Sequence, residues 1–137
     1  MILADTSAWV EYDRATGSPV DERLAELIAG DQEVAVTEPV VMEVLAGART
    51  SDLKADLRRL MLRFELVRFD VVADFDGAVA VHRRCRAAGV TPCGMVGCMI
   101  AAVAWRRGAT LLHQDADLAR VALVMTIPTD PSSQQTR

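Results

Sequence analysis

Four apolar residues that run straight into a carboxylate constrain this chain more than any other feature. Met1-Ile2-Leu3-Ala4 suits a short buried strand, and Asp5-Thr6-Ser7 follows at once, ahead of the helix formers Ala8 and Trp9. A strand that stops at a polar trio fits an open α/β sheet, where ligands sit beyond the carboxyl ends of the strands. Asp5 is a candidate site residue by that position, although Asp, Thr and Ser are also the residues that cap helices. The pattern recurs late in the chain. Ala109 to Leu112 is a strand candidate, apolar but for Thr110, His113-Gln114-Asp115-Ala116-Asp117 follows, and a short helix begins near Leu118.

The intervening sequence alternates helix and strand signals. Ser7 to about Tyr12 reads as a short helix ended by Gly17-Ser18-Pro19, and Asp21 to Ala29 as a second closed by Gly30. Glu33 to Val36 is a short strand. Thr37-Glu38-Pro39 then opens a helix with Val40, Val41, Val44 and Leu45 as its apolar stripe. Glu43 projects beside that stripe, so its carboxylate must be paired, for example with Arg49, protonated, or bound to a cation.

Ser51 caps a helix running to about Phe64, Glu65 to Phe69 is a third strand, and Asp74 to Ala88 is a helix ending at Gly89. The loop Thr91-Pro92-Cys93-Gly94 leads into an apolar helix from Met95 to Arg107, stopped by Gly108. Val121 to Ile127 supplies a last strand. The expectation is one βα-alternating domain over residues 1–127, with a mobile polar tail over 128–137.

Composition removes several classes of function. A chain of 137 residues with net charge −4 suits one domain and does not coat nucleic acid indiscriminately. An acidic site could still reach phosphates through a metal. Cys85, Cys93 and Cys98 lack zinc-ligand spacing, and His82 and His113 lie far apart, so a zinc site is not expected. Unpaired cysteines fit a reducing cytoplasm. No signal peptide is visible, and the longest apolar run, Met95 to Trp105, is too short to span a bilayer, so no membrane partner is expected.

Asp5, Glu43 and the Asp115/Asp117 pair would converge at one end of a parallel sheet. Carboxylates about 4 Å apart repel by roughly 4 kcal/mol at an effective dielectric near 20, so such a cluster calls for a cation or a shared proton. Oxygen donors select Mg²⁺ or Mn²⁺, ions that bind phosphate and activate water for phosphodiester hydrolysis. No serine or cysteine nucleophile with a histidine partner competes with this reading.

The segments ILADTSAWVEY, EPVVMEVLAGA and CMIAAVAWRRGATLLHQDADL together resemble the PIN-domain ribonucleases, specifically the VapC-type toxins of bacterial toxin–antitoxin pairs. The likeness runs from Met1 to about Ala122. It implies an α/β/α sandwich of three layers with a mostly parallel central sheet, and a Mg²⁺-dependent endoribonuclease of the bacterial cytoplasm. It also implies a homodimer and a VapB-like antitoxin whose tail covers the site. On that likeness Asp5 is the first acid, Glu43 the second, and Asp115 or Asp117 the last, with Thr6 or Ser7 as the hydroxyl beside the metal.

The third acid of that pattern is absent. Relatives carry Asp directly before the C-[LM]-I-A-A segment, whereas Gly97 precedes Cys98-Met99-Ile100-Ala101-Ala102 here, and no Asp or Glu occurs between Asp76 and Asp115. Glycine near the start of a helix is disfavoured by roughly 1 kcal/mol against Ala, so propensity does not account for it. The expectation is a toxin, natural or engineered, with a crippled metal site. The rival is a PIN-like module that holds antitoxin or RNA without cleaving. A phosphoacceptor domain fits poorly, because the only lysine, Lys54, lies mid-chain and Ser7 stands where an aspartyl phosphatase has its second Asp.

Overall fold

In the computed structural model, which describes residues 1–30 and 33–134, β1 (Ile2–Ala4) is an inner strand with neighbours on both sides. It pairs in parallel with β2 (Val34–Val36) and with β4 (Thr110–Leu112), and β2 pairs in parallel with the edge strand β3 (Glu65–Leu66). The order is therefore β3-β2-β1-β4, all parallel. A parallel sheet must be covered on both faces, which explains why Leu3, Ala4, Ala35, Leu111 and Leu112 are all buried and why β1 and β2 read as apolar runs, whereas the edge strand β3 is exposed.

Among the described residues seven helices form the outer layers of a three-layer α/β/α arrangement. They are α1 (Thr6–Arg14), α2 (Pro19–Ala29), α3 (Glu38–Ala46), α4 (Ser51–Met61), α5 (Ala73–Ala87), α6 (Met95–Arg107) and α7 (Ala116–Met125). Ser18 caps α2 through the Asp21 N–H, with Pro19 just inside. Gly108 ends α6 in the left-handed conformation, φ 61°, that glycine adopts without a Cβ clash.

Helix α6 is apolar nearly all round because it is enclosed: Cys98 and the run from Ile100 to Ala104 are buried. It packs closely on α5, where a side chain at Gly77 would come within 3.1 Å of Ala102 Cβ. The buried Asp74 of α5 takes two bonds from the Arg106 guanidinium of α6, at 2.8 and 2.7 Å, and a third from the Asp70 N–H at 2.7 Å. That bidentate pair fixes how the two helices sit.

Several boundaries differ from the sequence expectation. Val121 to Ile127 is not a strand: Leu118, Ala119, Val121, Ala122 and Met125 recur at helical spacing and bury one face of α7. Packing on α5 and α6 outweighs the β-branched content of that stretch. The cap of α4 is Thr50, which accepts from the Leu53 N–H, rather than Ser51. Helix α4 stops at Met61, and β3 is only two residues long. Helix α1 continues beyond Tyr12 to Arg14.

The segment after Ile127 is docked, not loose, as far as it is described. Leu111 N–H donates to the Pro128 carbonyl and Asp130 N–H to the Leu111 carbonyl, both at 2.8 Å, while Thr129 bridges Leu111 in parallel. Asp130 and Ser133 are buried, and Gln134 N–H reaches the His113 carbonyl at 3.0 Å. The open edge of β4 supplies these partners, so polarity alone was a poor guide to mobility here. Residues 135–137 of the expected tail lie outside the described residues. No helix among the described residues is long and apolar enough to cross a membrane.

Candidate active site

Parallel pairing sends the carboxyl ends of β1, β2 and β4 to one end of the sheet, and the chain order reverses direction beside β1. That is the position at which open α/β sheets form a crevice. The register Ala4↔Leu112 places Asp5 next to the start of the His113-Gln114-Asp115 turn, and Asp5 N–H donates to the Leu112 carbonyl at 2.9 Å.

A pocket of about 420 Å³ opens there. Asp5, Thr6, Ser7, Glu43, Gly97 and Asp115 all line it, with Cys93, Gly94 and Met95 completing the wall at the start of α6. Three of the four candidate acids thus share one pocket although they come from three separate parts of the chain.

Each carboxylate is oriented by a neighbour. Asp5, 5% exposed, caps α1 and accepts from Ser7 through both its N–H, at 3.1 Å, and its hydroxyl, at 2.7 Å. The same Ser7 oxygen accepts from the Gln114 N–H at 2.8 Å, so one hydroxyl ties the ends of β1 and β4 together. Glu43, on α3, accepts from the Thr6 hydroxyl at 2.7 Å, and this bond rather than Arg49 answers the question of its partner. Asp115 caps α7, its Oδ1 accepting from the N–H groups of Asp117 and Leu118.

Asp117 stands apart. Its carboxylate pairs with Arg120 one turn along α7 at 2.6 Å, half-exposed, and it does not line the pocket. Of the two late acids, Asp115 is the one brought to Asp5 and Glu43.

Burial holds the Asp5 carboxyl above the usual carboxylate range. Bonds from Ser7 and the Thr6 backbone pull it part of the way back, and the Asp115 charge pushes it up further. His113 is fully buried and accepts the Asp115 N–H at Nδ1, 3.2 Å away, while its Nε2 has no partner. Desolvation lowers its pKa, so it is a neutral imidazole at neutral pH.

Sequence reasoning missed the part played by Cys93. Its thiol occupies the space beside Gly97: a Cβ built on that glycine would lie 2.7 Å from Cys93 Sγ and 3.0 Å from Cys93 Cβ. Cys98 lies behind it, with the two sulfurs 4.0 Å apart and the Cys98 thiol donating to the Cys93 carbonyl at 3.5 Å. Burial pushes both thiols up, so both are protonated at neutral pH. The four-residue spacing between Cys93 and Gly97 at a helix start was the available signal.

Oxygen donors of this kind suit Mg²⁺ or Mn²⁺. The residues nevertheless do not fit such an ion as they stand. Among the described residues no three of His, Cys, Asp and Glu are grouped closely enough to hold a metal, and the Gly97 side of the pocket is closed by a thiol instead of offering a carboxylate.

Residues 2–124 match the family model described as the PIN domain. The chain is 39% identical over 128 residues to the VapC ribonuclease Mb1587 of Mycobacterium bovis and, equally, to ribonuclease VapC11 of Mycobacterium tuberculosis. These matches cover 93% of this chain and 96% of each relative. Among solved structures it is similar to VapBC2 from Rickettsia felis bound to a promoter DNA fragment. There the TM-score is 0.74 at 16% identity, covering 98% of this chain and 100% of that one. FitAcB from Neisseria gonorrhoeae gives 0.71 at 19% identity, covering 96% and 98%. At those identities the structural likeness speaks for the fold.

Proposed function

The chain belongs to the PIN-domain family and to the VapC ribonucleases within it, and from that premise we propose that it is an endoribonuclease toxin with impaired cleavage, neutralised by a VapB-like antitoxin. RNA is the substrate, cut by hydrolysis of a phosphodiester bond, and the working unit is a homodimer. The observation that carries the reading is the convergence of Asp5, Glu43 and Asp115 on one pocket at the carboxyl end of the sheet.

The division of labour follows from the geometry. Ser7 and Thr6 hold Asp5 and Glu43 in place, and the helix cap holds Asp115. A phosphate entering this pocket meets carboxylates, each repelling it by roughly 4 kcal/mol at about 4 Å and an effective dielectric near 20. A bound Mg²⁺ or Mn²⁺ would cancel that repulsion and supply an activated water. The remaining carboxylates do not assemble the ion's donor set, which supports slow or absent cleavage in this chain. Asp117, paired with Arg120, is left outside the chemistry.

A groove between α1, α3 and α4 shares Glu43 with the acidic pocket and is lined by Trp9, Val44, Leu53 and Leu57 with Arg14 and Arg49 at its rim. A groove of mixed apolar and charged lining, with Asp13 beside Arg14 and Arg49, next to the acids supports docking of an antitoxin segment. The similar structures named above include one VapBC complex, that from Rickettsia felis.

The test is RNA cleavage and Mg²⁺ binding by the chain as it stands, by Gly97→Asp, and by Gly97→Asp combined with Cys93→Gly, which clears the thiol. The expected result is cleavage restored in the double variant above both others. No cleavage by any of the three would favour the second reading, a non-cleaving module that binds antitoxin or RNA, which the closed Gly97 side already favours. Equal cleavage by all three would remove position 97 from the site.

A further inference from the structure

The acidic site does not use the sulfur atoms that line its wall. Cys93, 9% exposed, forms part of the pocket surface, and Met95, half-exposed, lines the same pocket two residues on. Cys98 lies directly behind Cys93, its sulfur 4.0 Å away. Gly97 makes this arrangement possible, since any Cβ there would displace the Cys93 thiol. Cys93 and Met95 therefore line one pocket open to solvent, and the buried Cys98 sulfur touches Cys93 behind that wall.

We propose that Cys93 and Cys98 form a two-thiol site for one soft metal ion of the Cu⁺ class, with the Met95 thioether as its pocket-side donor. The sulfur separation is the first argument. Two metal–sulfur bonds of about 2.3 Å, the length found for zinc thiolates, reach across up to about 4.6 Å, so an ion seats between sulfurs 4.0 Å apart without moving the backbone. A disulfide would instead require the sulfurs to close to about 2.05 Å, half their present separation.

The donor count is the second argument. No third His, Cys, Asp or Glu completes the set among the described residues, which disfavours four-coordinate Zn²⁺. Thiolate and thioether donors together select Cu⁺. Binding releases the two thiol protons and leaves the metal's oxidation state unchanged, so the site needs no oxidant or reductant beyond Cu⁺ itself.

The site stands on the sulfur geometry and does not depend on RNA cleavage. The experiment is anaerobic titration of the reduced protein with Cu⁺ in competition with bicinchoninate, a chromophoric Cu⁺ chelator. The intact chain is expected to withhold one equivalent from the chelator. Cys93→Ser or Cys98→Ser should weaken that by about a hundredfold or more, and Met95→Leu, at a half-exposed position, by about tenfold. Gly97→Ala should also weaken it, because the added Cβ displaces the Cys93 thiol. Far-ultraviolet circular dichroism shows whether each variant is folded, and Met95→Leu, which removes no buried group, keeps the test open should a cysteine variant unfold. Failure of the folded intact chain to compete, or equal competition by the Cys93→Ser/Cys98→Ser double variant, would overturn the assignment. A chain that withholds Cu⁺ while neither it nor the Gly97→Asp variants cut RNA leaves this site standing and counts only against the nuclease reading.

Discussion

Placing a methyl group at position 97 tests the coupling between Gly97 and Cys93 without involving any catalytic assay. In Gly97→Ala the new Cβ sits 2.7 Å from Cys93 Sγ and 3.0 Å from Cys93 Cβ. Ordinary contact is about 3.5–4.0 Å, so the methyl arrives roughly 0.8 Å too close to a buried sulfur. Overpacking of this kind costs about 1–3 kcal/mol, while Ala for Gly in a helix returns about 1 kcal/mol. The two terms leave a net loss of about 1 kcal/mol in the natural background. In a Cys93→Gly background both close contacts vanish, and the same substitution should stabilise by about 1 kcal/mol. The sign change is a coupling of about 2 kcal/mol, within the range that contacting residues show in double-mutant cycles. Urea denaturation of the four proteins measures it, and each step corresponds to about 3–4 °C in Tm for a domain of this size. If Gly97→Ala stabilises equally in both backgrounds, the thiol does not hold that space and the packing argument fails.

Arg106→Ala should cost about 3 kcal/mol in urea denaturation, because it strands the buried Asp74 carboxylate without its bidentate partner; a loss near zero would show that water reaches Asp74. Asp5→Asn should raise stability at neutral pH. A carboxyl held above its ordinary pKa makes the folded state bind a proton that the unfolded chain has released, so folding is penalised as pH rises from the ordinary value through the raised one. The gain from Asn is thus full above that window and absent below it, and a constant gain across pH would contradict burial as the cause. In the Gly97→Asp/Cys93→Gly background, Asp115→Asn should abolish restored RNA cleavage while Asp117→Asn leaves it unchanged, since Asn caps a helix as well as Asp and only the charge in the pocket is lost.

What could be read from the sequence was what local chemistry decides. An apolar run ending in Asp-Thr-Ser, repeated in altered form at His113 to Asp117, places two strand ends, and parallel pairing brings them together. Glu43 could be placed beside an apolar stripe by helical spacing, and that spacing implied a partner without identifying it. Thr6 proved to be the partner because α1 and α3 meet over the end of β1, a tertiary fact that no local pattern encodes. Val121 to Ile127 misled for the reverse reason: its β-branched residues favour a strand, and burial along one face of α7 overrode them. The segment after Ile127 was read from polarity alone, whereas Leu111 still had a free N–H and carbonyl on its open edge, and buried backbone groups rarely go unpaired.

The missing acid was legible only as an absence. What fills its place was not legible, because a thiol in a loop and a glycine in a helix carry no sequence signal of contact beyond their separation of four residues. The physical relation between them is reciprocal. Gly97 is the one residue type that leaves the Cys93 sulfur its seat, and the seated sulfur in turn makes any return to a side chain at 97 unfavourable. A carboxylate cannot therefore be restored at this position by one substitution without strain, and the two positions are expected to change together or not at all.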